Sequence, residues 1–176
     1  MQQIIQRDSP IDIQYETQTT ENFCYKVCHY SNKVLFGGLL PPVQIFLKPL
    51  RSSCCTFEAE VIDHISGKRI DRITVNSRFL KGIPIAKLVM SLMDAVVSQQ
   101  QHHFGKPGRG SYRNKERAAF SREIGLIPSS TGEKGGKETG EKVSFYCETG
   151  SRVDHLIQEL LSLDFANTWQ DRPAQQ

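Results

Sequence analysis

Residues 101–118 read QHHFGKPGRGSYRNKERA, a basic, glycine-rich stretch between two segments with helical patterning. In the preceding segment, 84–103, apolar residues recur on one side of a helix with about 3.6 residues per turn. They are Ile85, Leu88, Val89, Leu92 and Val96. The opposite side, which we expect to face solvent, carries Lys87, Asp94, Ser98 and Gln101. The pattern predicts a long central helix.

The boundaries of this helix and of the next follow from residue types. Pro84 suits a first helical turn, and Gly105 suits a helix end. Asn114 is a typical cap for a second helix, which we expect to end at Gly125. The stretch 105–113 is then the turn that joins the two helices.

Upstream of the central helix, three segments have strand character: 43–47, 57–62 and 70–75. The last two are joined by a turn around Gly67. Phe57, Ala59 and Val61 alternate with Glu58 and Glu60, which is typical of a half-buried strand. The simplest arrangement is a three-stranded antiparallel meander.

The remaining segments complete an α+β fold. Residues 1–18 are polar, and we expect a flexible segment before a helix capped by Thr19 or Thr20. Residues 128–142 have the composition of a mobile loop, and 143–147 of a short strand. Ser151 with Asp154 has the capping-box spacing of a C-terminal helix. We therefore predict one domain over 19–172 and a short tail at 173–176.

Composition narrows the function classes. The formal net charge is +3, too small by itself to indicate a nucleic-acid partner. No apolar run approaches the roughly 18–20 residues of a membrane span, and the N-terminus has no leader pattern. The five cysteines lack the spacing of a zinc ribbon or finger. We expect a cytoplasmic protein with free thiols, no membrane association and no metal or other cofactor.

Four stretches in order resemble the SprT-like zinc metallopeptidase family. They are LFGGLLPPVQIFL at 35–47, DRITVNSRFL at 71–80, the stretch at 101–118, and GGKETGEKVSFY at 135–146. The resemblance covers about 20–172, nearly the whole chain. It implies a zincin-type domain with an N-terminal helix, a three-stranded sheet, a central helix that carries the active site in active members, and a C-terminal helix.

In that family the central helix carries H-E-x-x-H, two zinc-binding histidines around a glutamate base, and a third histidine follows downstream. The resemblance places these positions at Asp94, Ala95, Ser98 and Arg113. Ala95 cannot move a proton, and Arg113 is a permanent cation where a dication would bind. Zinc and proteolysis are therefore expected to be lost, and Arg113 is expected to pair with Asp94 instead.

The resemblance leaves three functional hypotheses. The first is a pseudopeptidase whose peptide-sized cleft holds a protein partner, acting as a regulatory or interference protein of a plasmid or phage. The second is nucleic-acid binding, because SprT-like proteins act on DNA-bound proteins and the chain from 102 to 122 has six basic residues against one acid. The residues proposed for that contact are Lys106, Arg109, Lys115, Arg117 and Tyr112. The third is an active metallopeptidase with a non-standard site at Asp94.

Overall fold

The computed structural model describes residues 10–162 and confirms an α+β fold. Its elements in chain order are α1 (Pro10–Leu35), β1 (Val43–Lys48), β2 (Cys55–Asp63), β3 (Arg69–Asn76), α2 (Ile85–Phe104), α3 (Lys115–Ile124), β4 (Leu126–Ser129), β5 (Ser144–Cys147) and α4 (Arg152–Ser162). Segment 1–9, residues 163–172 of the expected domain and the expected tail lie outside the described residues. Among the helices described, none combines the length and apolar character needed to cross a membrane.

The three long strands form a mixed sheet in the order β1-β3-β2. β1 runs parallel to β3, from Val43 opposite Asp71 to Lys48 opposite Asn76, and β2 runs antiparallel to β3. The predicted antiparallel meander is therefore wrong. β3 is buried over most of its length, whereas β1 and β2 alternate between half-buried and exposed residues. The most completely buried strand takes the central position, where two neighbours satisfy its backbone.

A bulge interrupts β2 between Glu58 and Ile62. Glu60 has a φ of 50°, and its N–H donates to Oδ1 of Asp71 at 2.9 Å. An extra residue in one strand reverses the alternation of side chains beyond it. Val61, predicted to face inward, is consequently 47% exposed.

The first helix begins at Pro10, not after Thr19 or Thr20 as predicted. Proline is favourable in a first helical turn because its missing N–H has no partner there in any helix. The inward face of α1 carries Phe23, Cys24 and Val27, which are buried. This face packs against α2, and the predicted apolar stripe of α2 belongs to the same core.

The segment 128–142 differs from the mobile loop that its composition suggested. Pro128 and Ser129 belong to β4 and are buried. The Ser130 N–H donates to the Lys137 carbonyl at 2.8 Å, and the Lys137 N–H donates to Oγ of Ser130 at 3.0 Å. Serine and threonine side chains here bind backbone groups of their own loop, which composition alone does not reveal.

The C-terminal helix α4 begins close to the predicted cap. The Asp154 N–H donates to Oγ of Ser151 at 3.2 Å, as a capping box requires. The reciprocal bond differs, because the Asp154 carboxylate accepts from the Gly150 N–H at 2.8 Å. All five cysteines are free thiols, as expected, and two of them, Cys24 and Cys28, are buried.

Candidate functional site: a cleft beside the central helix

A cleft of about 470 Å³ lies between β2, α2, the turn 105–113 and the start of α3. Its lining includes all four positions that the resemblance singled out: Asp94, Ala95, Ser98 and Arg113. The first three share one face of α2 because residues four apart are neighbours on a helix. Arg113 reaches the same cleft from the turn, where its backbone N–H and carbonyl bond to Gly140 at 2.9 and 3.1 Å.

Arg113 and Asp94 form the predicted ion pair. Nη1 of Arg113 donates to Oδ1 of Asp94 at 3.0 Å, and Nη2 donates to Oδ2 at 2.8 Å. The two side chains are 23% and 14% exposed. This bidentate geometry is among the stronger arrangements for a carboxylate and a guanidinium. Ser98 donates its hydroxyl to the Asp94 carbonyl one turn earlier, at 3.1 Å.

Arg117 adds a second guanidinium to the same carboxylate. Its Nη2 donates to Oδ1 of Asp94 at 3.1 Å and to the Asp94 carbonyl at 3.0 Å, and its side chain is only 16% exposed. Arg117, one of the residues proposed for nucleic-acid contact, is thus directed into the cleft and bonded to Asp94. No helical spacing connects the two arginines, because Arg113 precedes the cap Asn114 and its backbone pairs with Gly140 outside α3.

The electrostatics of the cleft reflect two cations and one anion. Burial lowers the pKa of Arg113, the Asp94 carboxylate opposes that effect, and the charge of Arg117 adds to it. Arginine nevertheless stays protonated in proteins. The cleft therefore keeps an excess of positive charge close to Asp94.

These residues do not fit a zinc ion. The carboxylate of Asp94 is occupied by two guanidiniums, Ala95 has no ligand atom, and the Ser98 hydroxyl faces its own helix backbone. Among the side chains that the structure describes, residues 19–162, no three His, Cys, Asp or Glu are grouped in a way that could hold a metal.

A buried amide fixes the turn that carries Arg113. Nε2 of Gln101 lies 2.8 Å from Oδ1 of Asn114, 2.8 Å from Oε1 of Glu116 and 3.2 Å from the Lys106 carbonyl. Gln101, expected on the solvent side of α2, is only 3% exposed because the turn folds back over it. Asn114 also caps α3 as predicted, accepting from the Arg117 N–H at 3.0 Å.

The proposed nucleic-acid residues are divided between the cleft and the surface. Tyr112 and Arg117 line the cleft, whereas Lys106, Arg109 and Lys115 are exposed and do not belong to its lining. The rings of Phe104 and Tyr112 are 58% and 47% exposed.

A second polar cluster, which the sequence did not indicate, supports the bulge of β2. Asp71 is 2% exposed, and its Oδ2 lies 2.8 Å from Nε2 of Gln99 and 2.7 Å from Nε2 of His103. Its Oδ1 holds the Glu60 N–H of the bulge. Gln99 and His103 are four residues apart on α2, and no local motif connects them with β3.

No family model, curated protein or solved structure matches the chain. The likeness to SprT-like peptidases thus stays a prediction from the four stretches quoted above.

Proposed function

We propose that the chain is a non-catalytic, SprT-like protein that binds a segment of a partner protein in the cleft. In this proposal it acts in the cytoplasm as a regulatory or interference protein of a mobile element. One observation carries the proposal: Arg113 and Asp94, two of the positions that the resemblance assigns to zinc ligands, form a bidentate ion pair.

The walls of the cleft favour an extended peptide as the occupant. β2 is an outer strand of the three-stranded sheet, and Thr56, Phe57 and Ala59 of this strand line the cleft. An outer strand has backbone donors and acceptors that an added strand can bond, and neighbouring pockets then select side chains. A groove with the edge of a strand on one side and charged side chains on the other suits that mode of binding.

The same residues argue against hydrolysis. Ala95 supplies no general base, and the groups around Asp94 supply two cations in place of ligands. We expect purified protein to hold far less than one zinc per chain and to leave casein and DNA-bound proteins intact. Stoichiometric zinc whose removal by a chelator abolishes proteolysis would support an active metallopeptidase with a non-standard site instead.

Selection from a displayed random peptide library tests the binding role directly. Ser98→Phe places a large ring in the cleft, because Ser98 is part of its lining. Ser77→Phe adds the same ring at an exposed position outside that lining. The wild-type protein and S77F should enrich related peptides, and S98F should not. Failure of the wild type to enrich any sequence, or equal enrichment by S98F, refutes the cleft as a peptide site.

Nucleic-acid binding is a second candidate, favoured by the exposed rings of Phe104, at the end of α2, and Tyr112, beside basic residues of the turn 105–113. Exposed rings can stack on bases while Lys106 and Arg109 neutralise phosphates. Reversing Arg109 and Lys115 to Glu should weaken binding by a factor that shrinks as salt rises. Gel shifts with single- and double-stranded DNA at low and high salt measure this, and absence of binding at low salt removes the candidate.

A further inference from the structure

The cleft contains more positive than negative charge. Among the described residues that line it, Asp94 is the only acidic one, while Arg113 and Arg117 are both cationic. Both guanidiniums bond to the same carboxylate, and all three side chains are less than one quarter exposed. One positive charge is thus left without a counter-ion in a partly desolvated space, where an opposite charge interacts more strongly than in water.

The two guanidiniums also have N–H donors that are not used on Asp94. Each carries five N–H groups. Arg113 uses Nη1 and Nη2 on Asp94, and Arg117 uses Nη2. In the described part of the chain, Nε of either arginine and Nη1 of Arg117 make no hydrogen bond within the protein. The cleft therefore offers N–H donors together with an uncompensated charge.

The neighbouring groups favour a carboxylate over a phosphate. Asp94 already demonstrates that a planar carboxylate fits between these guanidiniums, and the excess charge to be balanced is one. Phe57 and Ala59 on the facing wall provide an apolar surface for the stem of an amino-acid side chain. A doubly charged phosphate would reverse the sign of the site.

We infer that Arg113 and Arg117 recognise a carboxylate of the bound segment, either an aspartate or glutamate side chain or a peptide C-terminus. This inference rests on the proposed peptide-binding function and names its specificity. The carboxylate of the bound segment would serve as a second counter-ion beside Asp94, and the adjoining peptide would lie along β2.

Titration with small probes tests the inference without a known partner. The Nε–H signals of Arg113 and Arg117 are followed by NMR while four compounds are added separately. N-acetylglutamate methylamide carries a side-chain carboxylate, N-acetylalanine carries a terminal one, N-acetylglutamine methylamide is neutral, and inorganic phosphate is the non-peptide anion. One or both carboxylates should shift the two signals saturably, and the glutamine compound and phosphate should do so far more weakly.

Two variants of α3 provide a matched comparison. Arg117→Gln removes one charge and its donors from the cleft and should weaken carboxylate binding by at least about tenfold, the usual scale for charge-assisted hydrogen bonds. Lys115→Gln removes the same charge from an exposed position of the same helix and should leave binding unchanged. Arg117→Lys, which keeps the charge, should recover part of the affinity, and circular dichroism verifies that each variant is folded.

Three results overturn the inference: no shift with either carboxylate, equal shifts with phosphate, or equal weakening by Lys115→Gln. The phosphate result would point to nucleic acid as the ligand. The peptide selection separates this failure from failure of the proposed function. Enriched peptides that bind equally well after their acidic groups are neutralised leave the cleft as a peptide site but remove its carboxylate specificity.

Discussion

Removing the Asp94 carboxylate should destabilise the protein by about 2 kcal/mol. In Asp94→Ala, Arg113 and Arg117 lose their shared counter-ion while remaining charged and mostly buried. The loss falls at the junction of α2 with the turn and α3, so it affects the packing of both helices. Because Ala is the best helix former, the substitution introduces no backbone defect of its own.

The magnitude follows from burial. Breaking a buried ion pair by removing one partner costs about 3–5 kcal/mol, whereas an exposed pair contributes only about 0–1 kcal/mol. With 14% of Asp94 and 16–23% of the arginines exposed, the cost should be nearer the buried case, about 2.5–3 kcal/mol. The higher helix propensity of Ala offsets about 0.5 kcal/mol of this destabilisation. For a chain of this length the melting temperature should fall by about 4–8 °C.

Urea unfolding followed by circular dichroism measures this loss, and a double-mutant cycle assigns it to the pair. Arg113→Ala and the double variant complete the cycle with Asp94→Ala. If the pair is responsible, the double variant should be more stable than the summed single effects predict, by more than about 1 kcal/mol. A cost below about 0.5 kcal/mol for Asp94→Ala, the ordinary range of surface substitutions, would refute the reasoning.

Three other residues give separate tests. Gly125 has a φ of 87°, and an added Cβ would collide with the side chain of Ser151, which caps α4, so Gly125→Ala should lower the free energy of unfolding in urea by more than about 2 kcal/mol. The control Gly110→Ala, at a φ of 58° in open space, should lower it by about 1–2 kcal/mol. Equal losses in the two variants would contradict this. The hydrogen bond from Gln101, followed by that from the Lys106 N–H, lowers the pKa of Glu116 below its ordinary 4.5. The free energy of unfolding should therefore fall as the pH drops from 4.5 through the lower pKa of the folded state. Glu116→Gln should flatten this part of the curve of stability against pH, and an unchanged curve would refute the reasoning. A hydrogen bond from Cys55 lowers the pKa of Cys54 to about 6 against the effect of burial. At neutral pH iodoacetamide should therefore alkylate Cys54 before the other cysteines, as mass spectrometry of the digested protein can show. Preferential alkylation of another cysteine would refute this.

Elements with local signals were predictable from the sequence. The apolar period of α2, the cap at Asn114 and the glycine at the end of α3 each involve residues within a few positions of one another, and the structure agrees with all three. The pair of Arg113 with Asp94 was predictable for another reason. A resemblance that assigns two distant positions to one zinc site implies that they are neighbours, and opposite charges then favour contact.

The errors concern interactions that no local pattern encodes. Strand order depends on which strand is covered on both sides, and β3 alternates much like β2 in sequence although it is far more buried. Gln101 looked like a solvent-facing residue because only the later turn covers it. The bulge of β2 depends on Asp71, which is eleven residues beyond Glu60 and lies on another strand.

The junction of α2 and α3 has two layers with different consequences. The buried layer, centred on Gln101, joins neutral and anionic groups and contacts the backbone of the turn at Lys106. The outer layer, centred on Asp94, joins charges that line the cleft. Since the buried layer already fixes the position of the turn, the outer layer need not be fully neutralised for the helices to stay together. An unbalanced guanidinium can therefore persist in the cleft, at a position where a ligand can reach it.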